Sequence, residues 1–248
     1  MYKLFLSLII TLALLLAGCN KATVAEPSAD AFAPSDTGET DIINEIVFLG
    51  ESTTYHLKSR AVLSDGTQTK QVWAPKSGTL MLDSTTARCR IVYPETGEEL
   101  ELSVAVARKK PKYLMLTFGL NGAAQSVSKG EKYFKSCYEK LISTIKKASP
   151  STEVILQSCF PIGKAMDMSS YTIDTTTLNG YIDTLNSWSK ELASDMGIAY
   201  INSSKVLKDS EGFLKTEYQT EDGYHLTRSA YVEILNCIRA YASGVENE

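Results

Sequence analysis

The sequence predicts an α/β fold, in which a mostly parallel sheet is covered by helices on both faces. Three observations support this prediction. Short apolar segments of strand length recur along the chain, segments with a helical repeat separate the later ones, and glycine or proline ends those helical segments. Strands that alternate with helices in this way are typical of βαβ units, which form parallel sheets. Residues 42–248 are long enough for one such domain.

Four segments are predicted strands because each is a short apolar run bounded by turn-forming residues. They are Ile46–Leu49, Tyr113–Phe118, Glu153–Leu156 and Ile198–Ile201. Val72 and Trp73 form a further apolar pair. Trp73 could line a pocket, but a large aromatic residue beside a strand is more often part of the core.

Apolar residues that recur three and four positions apart predict the long helices. The first runs from Tyr133 to Ile145 and stops before Pro150, and the second runs from Leu178 to Met196. Gly197 follows the second helix, and glycine is the usual residue just past a helix end. The remaining predicted elements are a helix opening near Ser52, a hairpin around Pro94–Gly97, a helix over Leu102–Lys109 and a last helix from Leu226 to Tyr241.

The N-terminus has the pattern of a secretory signal peptide over residues 1–18. Its apolar run, from Leu4 to Leu16, is shorter than the roughly 20 residues that a membrane-spanning helix needs. The residues Leu16 to Cys19 resemble the lipobox of bacterial lipoproteins, which implies acylation of Cys19. Two acyl chains hold a protein stably on a membrane. An ordinary secreted protein with a chance cysteine is the alternative.

Residues 19–41 are rich in Ala, Ser, Thr, Asp and Pro and have no sustained apolar repeat. This composition indicates a flexible tether after the lipidated cysteine. We therefore expect the folded domain, residues 42–248, to be lipid-anchored at the extracytoplasmic face of the cell membrane, with no other membrane contact.

Charge and cysteine spacing exclude several classes of function. The net charge is −4, with both signs interspersed, and no basic stripe suits nucleic acid. The basic run from Arg108 to Lys112 indicates a solvated helix end. The wide spacing of the cysteines rules out a CxxC zinc or redox motif. We expect no metal and no cofactor. The pairing of the four remaining cysteines is left open, although two lie in apolar helical patterns and are expected to be buried thiols. These four are Cys89, Cys137, Cys159 and Cys237, and the two in helical patterns are Cys137 and Cys237.

Three polar motifs are predicted to meet at one rim of the sheet, beyond the carboxyl ends of the strands. They are Gly50-Glu51-Ser52, Gly119 to Gly122, and Asp222 to His225. A serine needs a base to become a useful nucleophile, and the chain has two histidines. His225 follows Asp222 at a spacing that lets the carboxylate orient the ring, whereas His56 has no comparable partner. In isolation, Ser52 could instead cap a helix and Asn121 could be a turn residue.

Taken together and in this order, these motifs resemble the SGNH hydrolases, also called the GDSL esterase family, from about Ile46 to Tyr241. The matches are Ser52 in "GES", Asn121 in "GLNG" and His225 in "DGYH"; Gly78 in "VWAPKSGTL" is the best match for the family glycine. The motif around Ser52 is not the elbow of other α/β-hydrolases, because Thr54 stands where that motif needs glycine.

The resemblance implies a three-layer, flavodoxin-like α/β/α fold and a serine esterase mechanism. Ser52 would attack an ester carbonyl, His225 would accept its proton, and Asp222 would orient the imidazole. Ser52, Gly78 and Asn121 would form the oxyanion hole. Glu51 and Gly122 replace two aspartates of the family pattern, and we expect these replacements to affect rate and substrate choice more than reaction type. The residues at these two positions support the site more than they perform its chemistry.

The sequence thus predicts an extracytoplasmic serine esterase acting on acyl groups, above all acetyl, of carbohydrate or cell-wall glycan. The expected partner is an acylated glycan or small molecule. A lipid or thioester hydrolase of the same fold is one alternative, and a lipoprotein that binds glycan without cleaving it is another. Acyl-chain length and oligomeric state are left open.

Overall fold

A computed structural model describes residues 41–244, and the fold is given for that part of the chain. The predicted signal peptide, the predicted acylation site Cys19 and nearly all of the predicted tether lie outside the described residues. Within residues 41–244, no helix is both long enough and apolar enough to cross a membrane.

The central sheet has five parallel strands in the order β2-β1-β5-β6-β7. A separate antiparallel hairpin pairs β3 with β4. The strands are β1 Ile46–Gly50, β2 Val72–Trp73, β3 Arg90–Val92, β4 Glu99–Glu101, β5 Tyr113–Thr117, β6 Glu153–Gln157 and β7 Ala199–Ile201. The predicted α/β class and the mostly parallel sheet are confirmed.

Helices cover both faces of the sheet, as the sequence predicts. They are α1 Ser52–Ser59, α2 Leu102–Lys109, α3 Ala123–Lys129, α4 Glu131–Ala148, α5 Thr175–Met196, α6 Ser204–Leu207 and α7 Arg228–Ala242. The core on one face contains side chains from α2, α3, α4 and α5, and the core on the other contains side chains from α1, α6 and α7. Successive residues of a strand point to opposite faces of the sheet. All five residues of β1 and of β5 are buried, and so are four of the five in β6, which shows that both faces of these central strands are covered.

The ends of α5 show how the sequence sets a helix length. At its start, the Asp174 side chain accepts a hydrogen bond from the Thr177 N–H at 2.7 Å. At its end, Gly197 has φ +62°, a left-handed conformation that glycine adopts without a steric cost. The sequence prediction of a helix ending at Met196 is confirmed.

Of the strands and helices given above, the three that the sequence did not predict are short. Strand β2 has two residues, α6 has four and α3 has seven, so none shows a full periodic pattern. Trp73, at the end of β2, is fully buried and packs edge-on against Tyr93 at 6.1 Å between ring centroids. It belongs to the core rather than to a pocket. Cys137 and Cys237 are buried free thiols, as expected, and Cys89 and Cys159 are also free.

Candidate active site

The register of the sheet brings the three polar motifs to one edge. Gly50 at the end of β1 pairs with Thr117 at the end of β5, and Thr117 pairs with Gln157 at the end of β6. The carboxyl ends of these parallel strands therefore lie side by side, where α/β sheets usually bind ligands. The loop before α7 reaches the same edge and presents His225 to Ser52.

Ser52, His225 and Asp222 form one chain of contacts. The Ser52 hydroxyl oxygen lies 3.0 Å from Nε2 of His225, and Nδ1 of His225 lies 2.7 Å from Oδ2 of Asp222. Both distances lie within hydrogen-bond range. With the Nδ1 proton donated to Asp222, Nε2 is left free to accept the serine proton. The arrangement can therefore generate a serine nucleophile.

Asp222 is held in its ionised form by its neighbours. Its Oδ1 accepts the backbone N–H groups of Tyr224 at 3.0 Å and His225 at 2.9 Å, and the Thr220 hydroxyl at 2.9 Å. Partial burial acts to raise the pKa of Asp222, but these hydrogen bonds, together with the one to the His225 ring, lower the pKa to about 2. A carboxylate that stays charged is suited to stabilise an imidazolium at His225.

Close packing places Ser52 at the start of α1. A side chain at Gly50 would put its Cβ 2.3 Å from both the Thr117 carbonyl oxygen and the Thr54 hydroxyl, so only glycine fits where β1 passes into the helix. The Ser52 hydroxyl does not act as a cap, because its hydrogen bond goes to His225 rather than to a backbone N–H of the helix.

Glu51 is buried and holds the loop that contains Asn121. Its carboxylate accepts backbone N–H groups of Gly119 at 2.9 Å, Leu120 at 3.1 Å and Asn121 at 3.0 Å. Burial raises the pKa of Glu51 to about 7, although the three N–H donors act in the opposite direction. Glu51 therefore fixes the backbone of this loop relative to Ser52.

Two donors converge on one point beside Ser52. The Ser52 backbone N–H and the Asn121 side-chain amide both donate to the hydroxyl oxygen of Thr79, at 3.0 Å and 2.9 Å. The same Asn121 nitrogen also donates to the Leu80 carbonyl at 2.9 Å, which fixes the orientation of the amide. Two such donors aimed at one oxygen have the geometry of an oxyanion hole.

The predicted third donor, Gly78, is not available in this structure. Its N–H donates to the Pro75 carbonyl at 2.9 Å and closes a turn, so it does not point to the place where the other donors meet. The role predicted for Gly78 is corrected accordingly. Its φ of +74°, a left-handed conformation that glycine adopts without a steric cost, explains why glycine is found here.

His56 lies beside the site, and within residues 41–244 its ring makes no hydrogen bond to Ser52. Its ring centroid is 4.4 Å from that of His225, and the Tyr224 ring lies 4.1 Å from His225. The pKa of His56 is lowered, first by burial and then by the nearby His225 and Arg60. Its Nδ1 is buried with no hydrogen-bond partner. The structure joins His225, and not His56, to Asp222 and Ser52, but the sequence gave no indication that the two histidine rings are in contact.

Among residues 41–244, no group of three or more His, Cys, Asp or Glu side chains is arranged to hold a metal ion. The polar groups at the rim are instead engaged with one another. The chemistry that this arrangement supports is acyl transfer through a serine, with His225 to move the proton and two donors to stabilise an oxyanion.

Comparison with known proteins identifies the family. Residues 48–232 match the model of the GDSL-like Lipase/Acylhydrolase family, a range that includes Ser52, Asn121 and His225. The chain belongs to this family. It is therefore an ester-hydrolysing enzyme of the SGNH type.

Solved structures show the same fold at low identity. A GDSL-like lipase from Bacteroides thetaiotaomicron is 16% identical with a TM-score of 0.52, over 90% of this chain and 98% of that chain. A candidate acylhydrolase from Bacteroides fragilis is 17% identical with a TM-score of 0.51, over 92% of this chain and 98% of that chain. The periplasmic domain of a lipopolysaccharide acetyltransferase from Salmonella ser. Paratyphi A is 18% identical with a TM-score of 0.50, over 78% of this chain and 82% of that chain. A search of curated proteins gave no match.

Proposed function

We propose that this GDSL-family enzyme is an extracytoplasmic serine esterase that removes short acyl groups, above all acetyl, from carbohydrate or cell-wall glycan. The observation that supports the mechanism is the Ser52–His225–Asp222 contact chain beside the two converging donors. In this mechanism, Ser52 attacks the ester carbonyl and its proton passes to Nε2 of His225. His225 then protonates the leaving alcohol, and water hydrolyses the acyl-enzyme with His225 as base.

The size of the smaller cavity beside Asn121 favours a short acyl group. One cavity of about 250 Å³ is lined mainly by apolar side chains, including those of Met166, Ile173 and Leu178. It lies below the usual range for sites that enclose a drug-sized ligand. It therefore suits a short acyl group better than a long chain.

A second, open groove suits a polar leaving group. It has a volume of about 740 Å³ and is lined in part by Asp83, Thr85 and Arg88. Such side chains can form hydrogen bonds with the hydroxyl groups of a sugar. One protein of the same fold is described as the periplasmic domain of a lipopolysaccharide acetyltransferase. An acetylated polysaccharide is consistent with both observations.

One observation favours lipid as the alternative substrate. Of the five exposed large apolar side chains within residues 41–244, three lie around the site. The Tyr55 side chain lies beside Gly78, the Met81 side chain lies beside Gly122, and Tyr171 lines the smaller cavity. Exposed apolar side chains around a site can bind a lipid surface. The assay of substrates must therefore include long acyl chains.

The experiment that tests the proposal compares 4-nitrophenyl esters from acetyl to palmitoyl, together with acetate release from acetylated glycans. We expect the highest kcat/KM with the acetyl ester and a value at least about tenfold lower with octanoyl, because extra methylene groups would not fit the small cavity. A maximum at long chains would favour the lipid hydrolase. Absence of hydrolysis across the whole series would exclude the esterase mechanism.

We also propose that the enzyme is anchored by lipid at Cys19 on the extracytoplasmic face of the membrane, from the "LAGC" motif before the tether. A fatty-acid analogue should label the wild-type protein in cells, whereas Cys19→Ser should remain unlabelled and leave the membrane fraction. The same substitution at Cys89, a free thiol within residues 41–244, is the matched control and should not change labelling. Equal labelling of wild type and Cys19→Ser would contradict lipid anchoring.

A further inference from the structure

The Thr79 hydroxyl occupies the point where the two oxyanion-hole donors meet. We infer that this hydroxyl occupies the binding position of the substrate carbonyl oxygen, and that every ester must displace it before Ser52 can react. Residue 79 thereby controls substrate binding. The inference rests on the proposed esterase mechanism, since only acyl transfer creates an oxyanion at this point.

The position of the Thr79 oxygen follows from the reaction geometry. The attacking hydroxyl and a backbone N–H donor both belong to Ser52. When the hydroxyl attacks a carbonyl carbon, the carbonyl oxygen therefore lies beside this N–H. Donors stabilise an oxyanion from about 2.7–3.1 Å. The Thr79 oxygen lies 3.0 Å from the Ser52 nitrogen and 2.9 Å from the Asn121 amide nitrogen, which are the distances that an oxyanion would require.

Thr79 acts at this point as an acceptor rather than as a further donor. Its oxygen receives both N–H groups, and its own proton is directed at the Leu80 carbonyl, 3.3 Å away. A hydroxyl that stabilises an oxyanion must point its proton at that oxyanion. Here, the hydroxyl oxygen takes the place of the oxyanion itself.

The Thr79 hydroxyl can leave the oxyanion hole while the two donors of the hole keep their positions. Lys76 and Ser77 are exposed, and Thr79 is only partly buried, so rotation of one side chain can vacate the hole. The Asn121 amide would keep its hydrogen bond to the Leu80 carbonyl during this change, which holds the amide in place for the substrate. The donors therefore stay organised while the acceptor is exchanged.

A tethered hydroxyl competes with substrate more strongly than free water does. Because Thr79 is covalently attached beside the hole, its hydroxyl has a high effective concentration there. Displacing it costs the same binding energy in the ground state and in the transition state. Such a uniform loss raises KM and leaves kcat unchanged. Removing the hydroxyl should therefore lower KM.

The test measures kcat and KM on 4-nitrophenyl acetate for wild type, Thr79→Ala and Thr79→Ser. We expect Thr79→Ala to lower KM about three- to tenfold with kcat within about twofold of wild type, since one or two neutral hydrogen bonds no longer need to be displaced. Thr79→Ser keeps the hydroxyl and should retain the wild-type KM. Thr67→Ala makes the same change at an exposed residue away from the site and should leave both constants unaltered.

Labelling by a small fluorophosphonate gives an independent measurement, because its phosphoryl oxygen must enter the same hole. The second-order rate constant of labelling should rise in Thr79→Ala by the same factor as KM falls. If Thr79→Ala does not fold, Thr79→Val, which keeps the shape but lacks the acceptor oxygen, should show the same direction of change.

Three results would overturn the inference. A fall of about a hundredfold in kcat for Thr79→Ala would make Thr79 a donor to the oxyanion, and unchanged constants would mean that the hole is open in solution. In both cases wild-type hydrolysis shows that the esterase function itself stands. A wild-type protein that hydrolyses no ester in the series would instead overturn the proposed function, and this inference with it.

Discussion

Ser52→Ala is expected to lower kcat by several orders of magnitude and to abolish labelling by a fluorophosphonate. The reason is that the Ser52 hydroxyl lies 3.0 Å from Nε2 of His225, which can remove its proton, and beside two donors that would stabilise the resulting oxyanion. In enzymes of this mechanism, loss of the nucleophile leaves only the contribution of the oxyanion hole and substrate binding.

The stability of Ser52→Ala should stay close to that of the wild type. The Ser52 hydroxyl caps no helix N–H, so the substitution avoids most of the roughly 0.5–2 kcal/mol that loss of a serine cap costs. Ser59→Ala, at the exposed end of the same helix, is the matched control and should retain activity and labelling. A folded Ser52→Ala protein with wild-type turnover would show that Ser52 is not the nucleophile.

Local patterns in the sequence predict most of the fold. Helices α4 and α5 have strong apolar repeats and clear end signals, and each central strand is a compact apolar run. Strand β2 was missed because a two-residue strand has no measurable period. It exists because it pairs with β1 at the edge of the sheet, which is a tertiary contact.

The candidate site divides in the same way between local and distant contacts. The Asp222–His225 contact spans three residues within one turn, so spacing alone indicates it. The contact of Glu51 with the Asn121 loop spans 68 to 70 residues. From the sequence, Glu51 was only a substitution in a motif, whereas the folded chain shows a buried carboxylate that positions a second motif.

The oxyanion hole shows why a motif match does not establish a contact. Gly78 matches the family glycine, but whether its N–H faces the site depends on how the following turn closes. In this structure that N–H bonds to the Pro75 carbonyl, and the next residue, Thr79, fills the hole instead. No pattern in the sequence distinguishes Thr79 from other surface threonines, because its position follows from two donors on distant segments.

The second large effect is expected at His225. His225→Ala should lower kcat by about a thousandfold or more, because it removes the only histidine nitrogen within hydrogen-bond distance of the Ser52 hydroxyl among the described residues. Asp222, 2.7 Å from the other ring nitrogen, has no second base to orient. The measurement is kcat on 4-nitrophenyl acetate, with the unfolding temperature of each variant as a check on folding.

His56→Ala is the matched control, since it removes the other imidazole, 4.4 Å away in ring-centroid distance. His56 has no carboxylate hydrogen-bonded to its Nδ1, and burial followed by the nearby His225 lowers its pKa, so it is a poorer base than an ordinary histidine. Its loss should change only the packing of the His225 ring and lower kcat by less than about tenfold, as expected for a group that makes no hydrogen bond to the Ser52 hydroxyl. If His56→Ala abolished turnover while His225→Ala retained it, the base would be His56, and the contact between Ser52 and His225 would have no part in the reaction.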